Sequence, residues 1–287
     1  MALTPEQQDL VDAIGRALAA DPQIEAAWLA GSLGRGAGDA FSDVDVVALV
    51  ADGPAAEAGR RWASDVARIA EPVLVNVLYG GLVLNCVASD WRRFDISFIT
   101  DADFSRFDAA RLKPLFNRGS RGPTRGTPEP YQTTPQTLLP LVNEFLRILG
   151  LLVVGLGREE YLLGLTGADL LRGLTVNLML EENGVGPAER GGALRRNPLL
   201  TPEQRAQLAS LTPVTATREG IITANRELAA IFLPRARRLG ERIGMAWLAA
   251  FEAATRRHLQ ARLDVSLDED APAASAPLVN PVDSAAP

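Results

Sequence analysis

Apolar and polar positions follow two rhythms along this chain, and the change between them falls before its midpoint. The first 115 residues alternate short apolar runs with amphipathic stretches. A helix is predicted over 5–20, opened by Thr4 as N-cap, Pro5 at the first helical position and Gln7 closing a capping box. Residues 24–31 read as a strand ending at Gly31, a short helix follows Ser32, and 44–50 read as a buried strand. Beyond these, a helix is expected over 56–70 and strands near 72–79, 82–88 and 93–99. Gly80-Gly81 marks a hairpin between the first two of those strands. The expected fold class is α/β: an N-terminal mixed sheet with helices packed against it, over 1–115.

From 134 to 263 the rhythm becomes helical. Helices are predicted over 136–154, 158–183, 202–211, 214–232 and 235–263, the last interrupted at Gly240–Gly244, which together make a C-terminal helical bundle. Between the two halves, residues 116–133 hold the run Asn117-Arg118-Gly119-Ser120-Arg121-Gly122-Pro123-Thr124-Arg125-Gly126. That run is too rich in glycine and proline for a regular element and reads as a linker. Its three arginines either stay solvated or reach over a bound phosphate chain. The tail over 264–287, with little periodicity, is expected to be disordered.

Composition narrows the function classes. With 287 residues and 47% apolar composition, the chain has enough material for two cores. Its 29 basic and 35 acidic residues give a net charge of −6, which disfavours gripping a long nucleic-acid backbone and suits a small cationic partner. One cysteine, Cys86, excludes an internal disulfide framework. With a single histidine as well, a His/Cys zinc site or a Cys–His dyad is disfavoured, and His258 reads as a surface residue. No N-terminal targeting pattern is visible, and no unbroken apolar run reaches the ~20 residues of a membrane span. The expected setting is cytoplasmic, without membrane contact.

The candidate chemistry lies between the first two strands, in Gly31-Ser32-Leu33-Gly34-Arg35, six further residues, then Ser42-Asp43-Val44-Asp45. Gly31 allows backbone to approach a phosphate, and Ser32 offers a hydroxyl and an N–H at a helix start. Arg35 is suited to lie against a triphosphate. Side chains alternate along a strand, so Asp43 and Asp45 point the same way. Two carboxylates that close resist joint ionisation unless a cation lies between them, and magnesium takes one or two carboxylates together with phosphate oxygens. In 91–99, apolar Phe94, Ile96 and Phe98 alternate with Arg93, Asp95 and Ser97, so Asp95 stands on a polar face and supplies a third carboxylate if the strands pair. Rival phosphate motifs do not fit: no Gly-Lys-Ser/Thr follows the glycines, and their spacing is not that of a dinucleotide fold.

Gly31-Ser32, ten residues, Asp43-x-Asp45 and a later strand aspartate together resemble the DNA polymerase beta-like nucleotidyltransferase superfamily. The fuller string is similar to the aminoglycoside and lincosamide nucleotidyltransferases. The resemblance implies an enzyme that moves a nucleoside monophosphate, AMP from ATP or another nucleoside triphosphate, onto a hydroxyl of a small cationic or polar molecule. It implies that Gly31, Ser32, Arg35 and Ser42 bind the nucleotide. It also implies that Asp43, Asp45 and Asp95 hold magnesium, two ions in the usual arrangement, and that the helical half binds the acceptor. Asp95 is a candidate general base. So is Glu144, because family members carry a glutamate near the start of the second domain in that role; its other reading is an i,i+3 pair with Arg147. The family's phosphate-contacting lysine has no counterpart there. Relatives occur as monomers and homodimers. Two further readings share the site: a protein- or tRNA-modifying transferase of toxin–antitoxin type, and a catalytically silent nucleotide-binding module.

Glu181-Glu182 ends a predicted helix, where acids oppose the helix dipole. This is either a solvated helix end or a negative corner that attracts an ammonium-bearing substrate.

Overall fold

The computed structural model describes residues 3–119, 122, 130–190 and 195–267. The chain divides into two compact units, Met1–Glu129 and Pro130–Pro287. The first carries a mixed six-stranded sheet and the second is helical, in agreement with the α/β-plus-bundle class expected.

In the first unit, α1 (Pro5–Ala19) starts as predicted: the Thr4 hydroxyl accepts from Gln7 N and the Gln7 side-chain Oε1 accepts from Thr4 N. Next come β1 (Ile24–Leu29), a single turn α2 (Gly31–Gly34), β2 (Val44–Val50) and α3 (Ala55–Asp65). The hairpin β3 (Pro72–Leu78) and β4 (Val83–Ala88) leads to β5 (Arg93–Ile99), and β6 (Lys113–Asn117) closes the set. The sheet order is β3-β4-β5-β2-β1-β6, with β2 and β5 parallel and all other neighbours antiparallel. Strand β6 is not announced by the hydrophobic pattern. It is five residues long with Pro114 inside, which an edge strand tolerates because one side of its backbone needs no sheet partner.

Alternation along β2 separates two cores. Val44, Val46, Ala48 and Val50 pack with Leu10 and Ile14 of α1 and Trp62 of α3, whereas Val47 and Leu49 pack with Ala26, Trp28 and Ile99 on the opposite face. Asp45 belongs to that second face, away from α1 and α3.

The second unit contains α4 (Pro135–Gly157), α5 (Tyr161–Glu182), the short α6 (Pro187–Arg190), α7 (Pro202–Ala209), α8 (Arg218–Arg242) and α9 (Ala249–Leu263). The break predicted before residue 235 does not occur, because α8 runs through Pro234. Buried Phe232, Leu233, Ala236 and Leu239 on either side hold the helix together across the missing N–H. Helix α4 is long and apolar enough to cross a membrane by length and composition, a property that counting unbroken apolar runs misses. Its Leu138, Val142, Phe145, Leu146 and Leu149 are fully buried in this unit's core, with Phe145 stacked on Phe232 at 3.8 Å between ring centres. The expected disorder over 264–287 falls on residues 268–287 for the most part, outside the described residues. Val265 packs into the helical core.

Candidate functional site

Strand register builds the site. Parallel pairing of β2 with β5 places Asp45 opposite Asp95, pairing of β4 with β5 places Asn85 opposite Asp95, and pairing of β3 with β4 places Asn76 opposite Asn85. Four polar side chains therefore form a row across four strands on one face. The Asn85 amide donates to Asp95 Oδ1 at 2.8 Å, and the Asn76 amide donates to Asn85 Oδ1 at 3.1 Å. The two asparagines buttress Asp95 from the side away from Asp45.

The turn after β1 covers Asp45. Gly31 has φ +57°, and a Cβ there would lie 1.7 Å from Asp45 Oδ2, so glycine alone fits over the carboxylate. Ala30 N donates to the Asp45 carbonyl at 2.8 Å, which ties the turn to β2. Farther along, the loop is ordered by its own polar groups. Ser42 Oγ accepts from Asp39 N at 3.0 Å and donates to Asp39 Oδ1 at 3.1 Å, and the Gln7 amide of α1 bridges the Asp39 and Ser42 carbonyls. The Ser42 hydroxyl thus works inside the loop. Ser32 is partly buried at the start of α2 and Arg35 is exposed at its end.

Burial pushes the Asp45 carboxyl up to about 6, with further upward push from Asp43 and Asp95 and opposition from Arg35 and Arg93. Asp95 is also raised, first by burial; the Asn85 hydrogen bond opposes this, Asp43 adds to it and Arg93 opposes it. Two half-buried carboxylates with raised proton affinity, both raised further by Asp43 and Asp45 also by Asp95, form a site where a cation replaces the proton. Their oxygens are the hard donors that magnesium takes. Among the described residues no three acidic, histidine or cysteine side chains converge on one point, so the fit is to an ion that takes its remaining oxygens from phosphate or water. Asp43 stands close enough to act on both partners electrostatically without completing a three-ligand cage.

Other candidates have different surroundings. Glu144, in the helical unit, is held bidentately by Arg147 at 2.6 and 2.7 Å, and that bond lowers its pKa. Arg118 donates to the Ala19 and Asp21 carbonyls at the end of α1, so its guanidinium is a structural tie; Arg121 and Arg125 lie outside the described residues. Neither acid at the end of α5 is a free negative corner. Glu181 is 4% exposed and accepts from the Tyr131 and Thr133 hydroxyls and the Arg190 guanidinium, while Glu182 pairs with Arg235 at 2.7 Å. Asn76, Asn85 and the partly buried Arg93 are site residues that the sequence reading did not single out. The available signal was Asn85, the one polar side chain in the run Val83–Ala88.

No protein-family model and no curated protein matches the chain. Among solved structures, the chain is similar to the crystal structure of an aminoglycoside 6-adenyltransferase from Bacillus subtilis, with TM-score 0.42 and 15% identity, over 89% of this chain and 98% of that one. The chemistry of the site rests on its own residues.

Proposed function

We propose that the chain is a magnesium-dependent nucleotidyltransferase that moves AMP from ATP onto a hydroxyl of a small cationic molecule of aminoglycoside or lincosamide type. The observation that carries the reading is the Asp45–Asp95 pair, in register on adjacent strands and covered by a glycine that leaves room for nothing larger. Asp45 and Asp95 are the residues that would hold magnesium, with Asp43 adding negative charge beside them. When bound, the ion neutralises charge on the transferring phosphoryl group and on departing pyrophosphate. The turn at Gly31 and Ser32 and the Arg35 guanidinium bind the β- and γ-phosphates. The acceptor oxygen bonds to the α-phosphorus, the bond from that phosphorus to the bridging oxygen of pyrophosphate breaks, and the hydroxyl proton passes to an Asp95 carboxylate oxygen. Asp95 suits the base role better than Glu144. Its burial raises proton affinity, whereas Arg147 lowers that of Glu144.

The test is incubation with magnesium, labelled ATP and separate aminoglycosides, lincosamides, tRNA and cell protein. Label on a small molecule supports the proposal, and label confined to tRNA or protein replaces it with the macromolecule-modifying reading. Asp43→Asn and Asp95→Asn each lose at least about 100-fold in transfer while keeping the wild-type circular dichroism. Wild-type turnover by either variant removes that aspartate from the assignment.

A further inference from the structure

Within the helical unit a cavity of about 160 Å³ lies between α4, α5 and α8. That is close to the ~150 Å³ of an aliphatic cavity that takes one benzene molecule. Its walls are aliphatic: Leu151 and Leu152 come from α4, and Leu163 and Leu170, two turns apart, come from α5. Three of these stand open to water, with Leu151 46%, Leu163 60% and Leu170 52% exposed. Single exposed leucines are ordinary, but three around one cavity make an apolar patch. Two glycines keep the space free. Gly155 of α4 and Gly167 of α5 lie inside helices, where each is a weaker helix former than alanine, and a Cβ at either would meet nothing across the cavity within 4 Å. Packing therefore does not require glycine at either position.

One polar group says what binds. Asn225 of α8 is 3% exposed and lines the cavity. Its amide nitrogen donates to the Ile221 carbonyl at 2.8 Å, one turn back in its own helix, and its side-chain oxygen has no partner among the described residues. No buried side-chain oxygen among those residues is sealed off without a partner, so the Asn225 oxygen opens onto the cavity that it lines. The other polar lining residues are engaged. Thr166 donates to the Leu162 carbonyl at 3.4 Å, and Arg147 is held by Glu144 at 2.6 and 2.7 Å. The cavity thus offers one acceptor, an aliphatic surface and no unpaired charge. We propose that it binds a neutral single-ring molecule with one hydrogen-bond donor, a phenol or an aryl amine. The ring lies against the leucines and its O–H or N–H donates to Asn225 Oδ1. An ammonium or carboxylate is disfavoured, because nothing on the lining replaces its hydration. The site belongs to the helical unit, and the inference does not depend on the nucleotidyl-transfer reading.

Toluene and p-cresol differ only by the hydroxyl, so together they separate the ring from the donor. Isothermal titration calorimetry of the full chain, without nucleotide, is expected to show saturable p-cresol binding with Kd below about 1 mM. Toluene is expected to bind at least about threefold more weakly, the effect of one neutral hydrogen bond. Gly167→Leu puts aliphatic volume into the cavity and favours the helix, so it keeps the wild-type melting temperature or raises it while p-cresol affinity falls at least about tenfold. Gly155→Leu does the same from the α4 wall. Asn225→Leu brings the p-cresol and toluene affinities to within about twofold of each other. Absence of saturable p-cresol binding overturns the site, as does wild-type affinity in both glycine variants. Equal affinity for the two compounds in the wild-type chain, or a p-cresol preference that survives Asn225→Leu, overturns the role of the Asn225 oxygen and with it the ligand class.

Discussion

Gly31 occupies a place where the backbone conformation and the space available both exclude a side chain. Its φ of +57° disfavours any L-residue, and a methyl group would overlap the Asp45 carboxylate at 1.7 Å. Gly31→Ala therefore moves either the turn or Asp45. A loss of at least about 100-fold in transfer is expected, with a stability cost of about 1–3 kcal/mol read from the denaturant midpoint. Activity close to wild type would show that the glycine–carboxylate contact is not needed. This contact was half legible. Spacing in the sequence pointed to Gly31, Asp43 and Asp45 together, and left Asp95 to depend on strand pairing, which the β2–β5 register supplies. Asn76 and Asn85 were not legible, since their importance arises from which residues lie opposite them across three strands. Ser42 shows the converse: the residue type suggests phosphate contact, yet its hydroxyl closes a turn with Asp39.

Elements were more legible than their partners. Periodicity located five helical stretches in the second half, but it gave no sign that the acids ending α5 have cations from elsewhere in the chain. Glu181 is buried with Arg190, Tyr131 and Thr133 around it. The helix dipole disfavours a carboxylate there, and these hydrogen bonds outweigh that effect: the Glu181 pKa is lowered, with burial opposing the bonds that lower it. A lowered carboxylate pKa adds stability that is complete above the ordinary value of 4.5 and is lost as pH falls through the folded value below it. Glu181→Gln leaves Arg190 without its anion and is expected to cost about 3 kcal/mol at pH 7. The difference from wild type should shrink below pH 4 in thermal melts; a gap that stays constant with pH would mean packing, not charge, sets the cost. The two sheet edges also differ. On β6, Lys113 and Pro114 discourage pairing with another chain, whereas β3 has no charged residue and exposes Val73, Leu74, Val77 and Leu78. Val77→Lys is expected to reduce concentration-dependent light scattering without changing transfer kinetics. Unchanged scattering would clear β3 of any part in self-association.

At the scale of the molecule, the change from strand to helical rhythm was readable because each half buries its own apolar set: one core forms against the sheet and another within the helices. Net charge of −6 was readable as well, and it favours cationic over polyanionic partners. Sheet order was not readable. Nothing in a run of apolar residues says that β5 lies beside β2 while β3 and β4, which precede β5 in the chain, lie outside it. That order sets a schedule for the folding chain. The β3–β4 hairpin closes a short loop, but the β2–β5 pair joins positions 45 and 95 across everything between them, so it meets a larger entropic barrier. A refolding protein is therefore expected to regain far-UV circular dichroism before it regains nucleotidyl transfer in a double-jump experiment; simultaneous recovery would contradict this. A chain whose β5 slips by one residue against β2 keeps its strands and helices but turns Asp95 to the opposite face, away from Asp45. Under the proposed function, transfer activity is then a measure of correct pairing in the whole sheet, and partly mispaired molecules count as folded by spectroscopy yet silent in the assay.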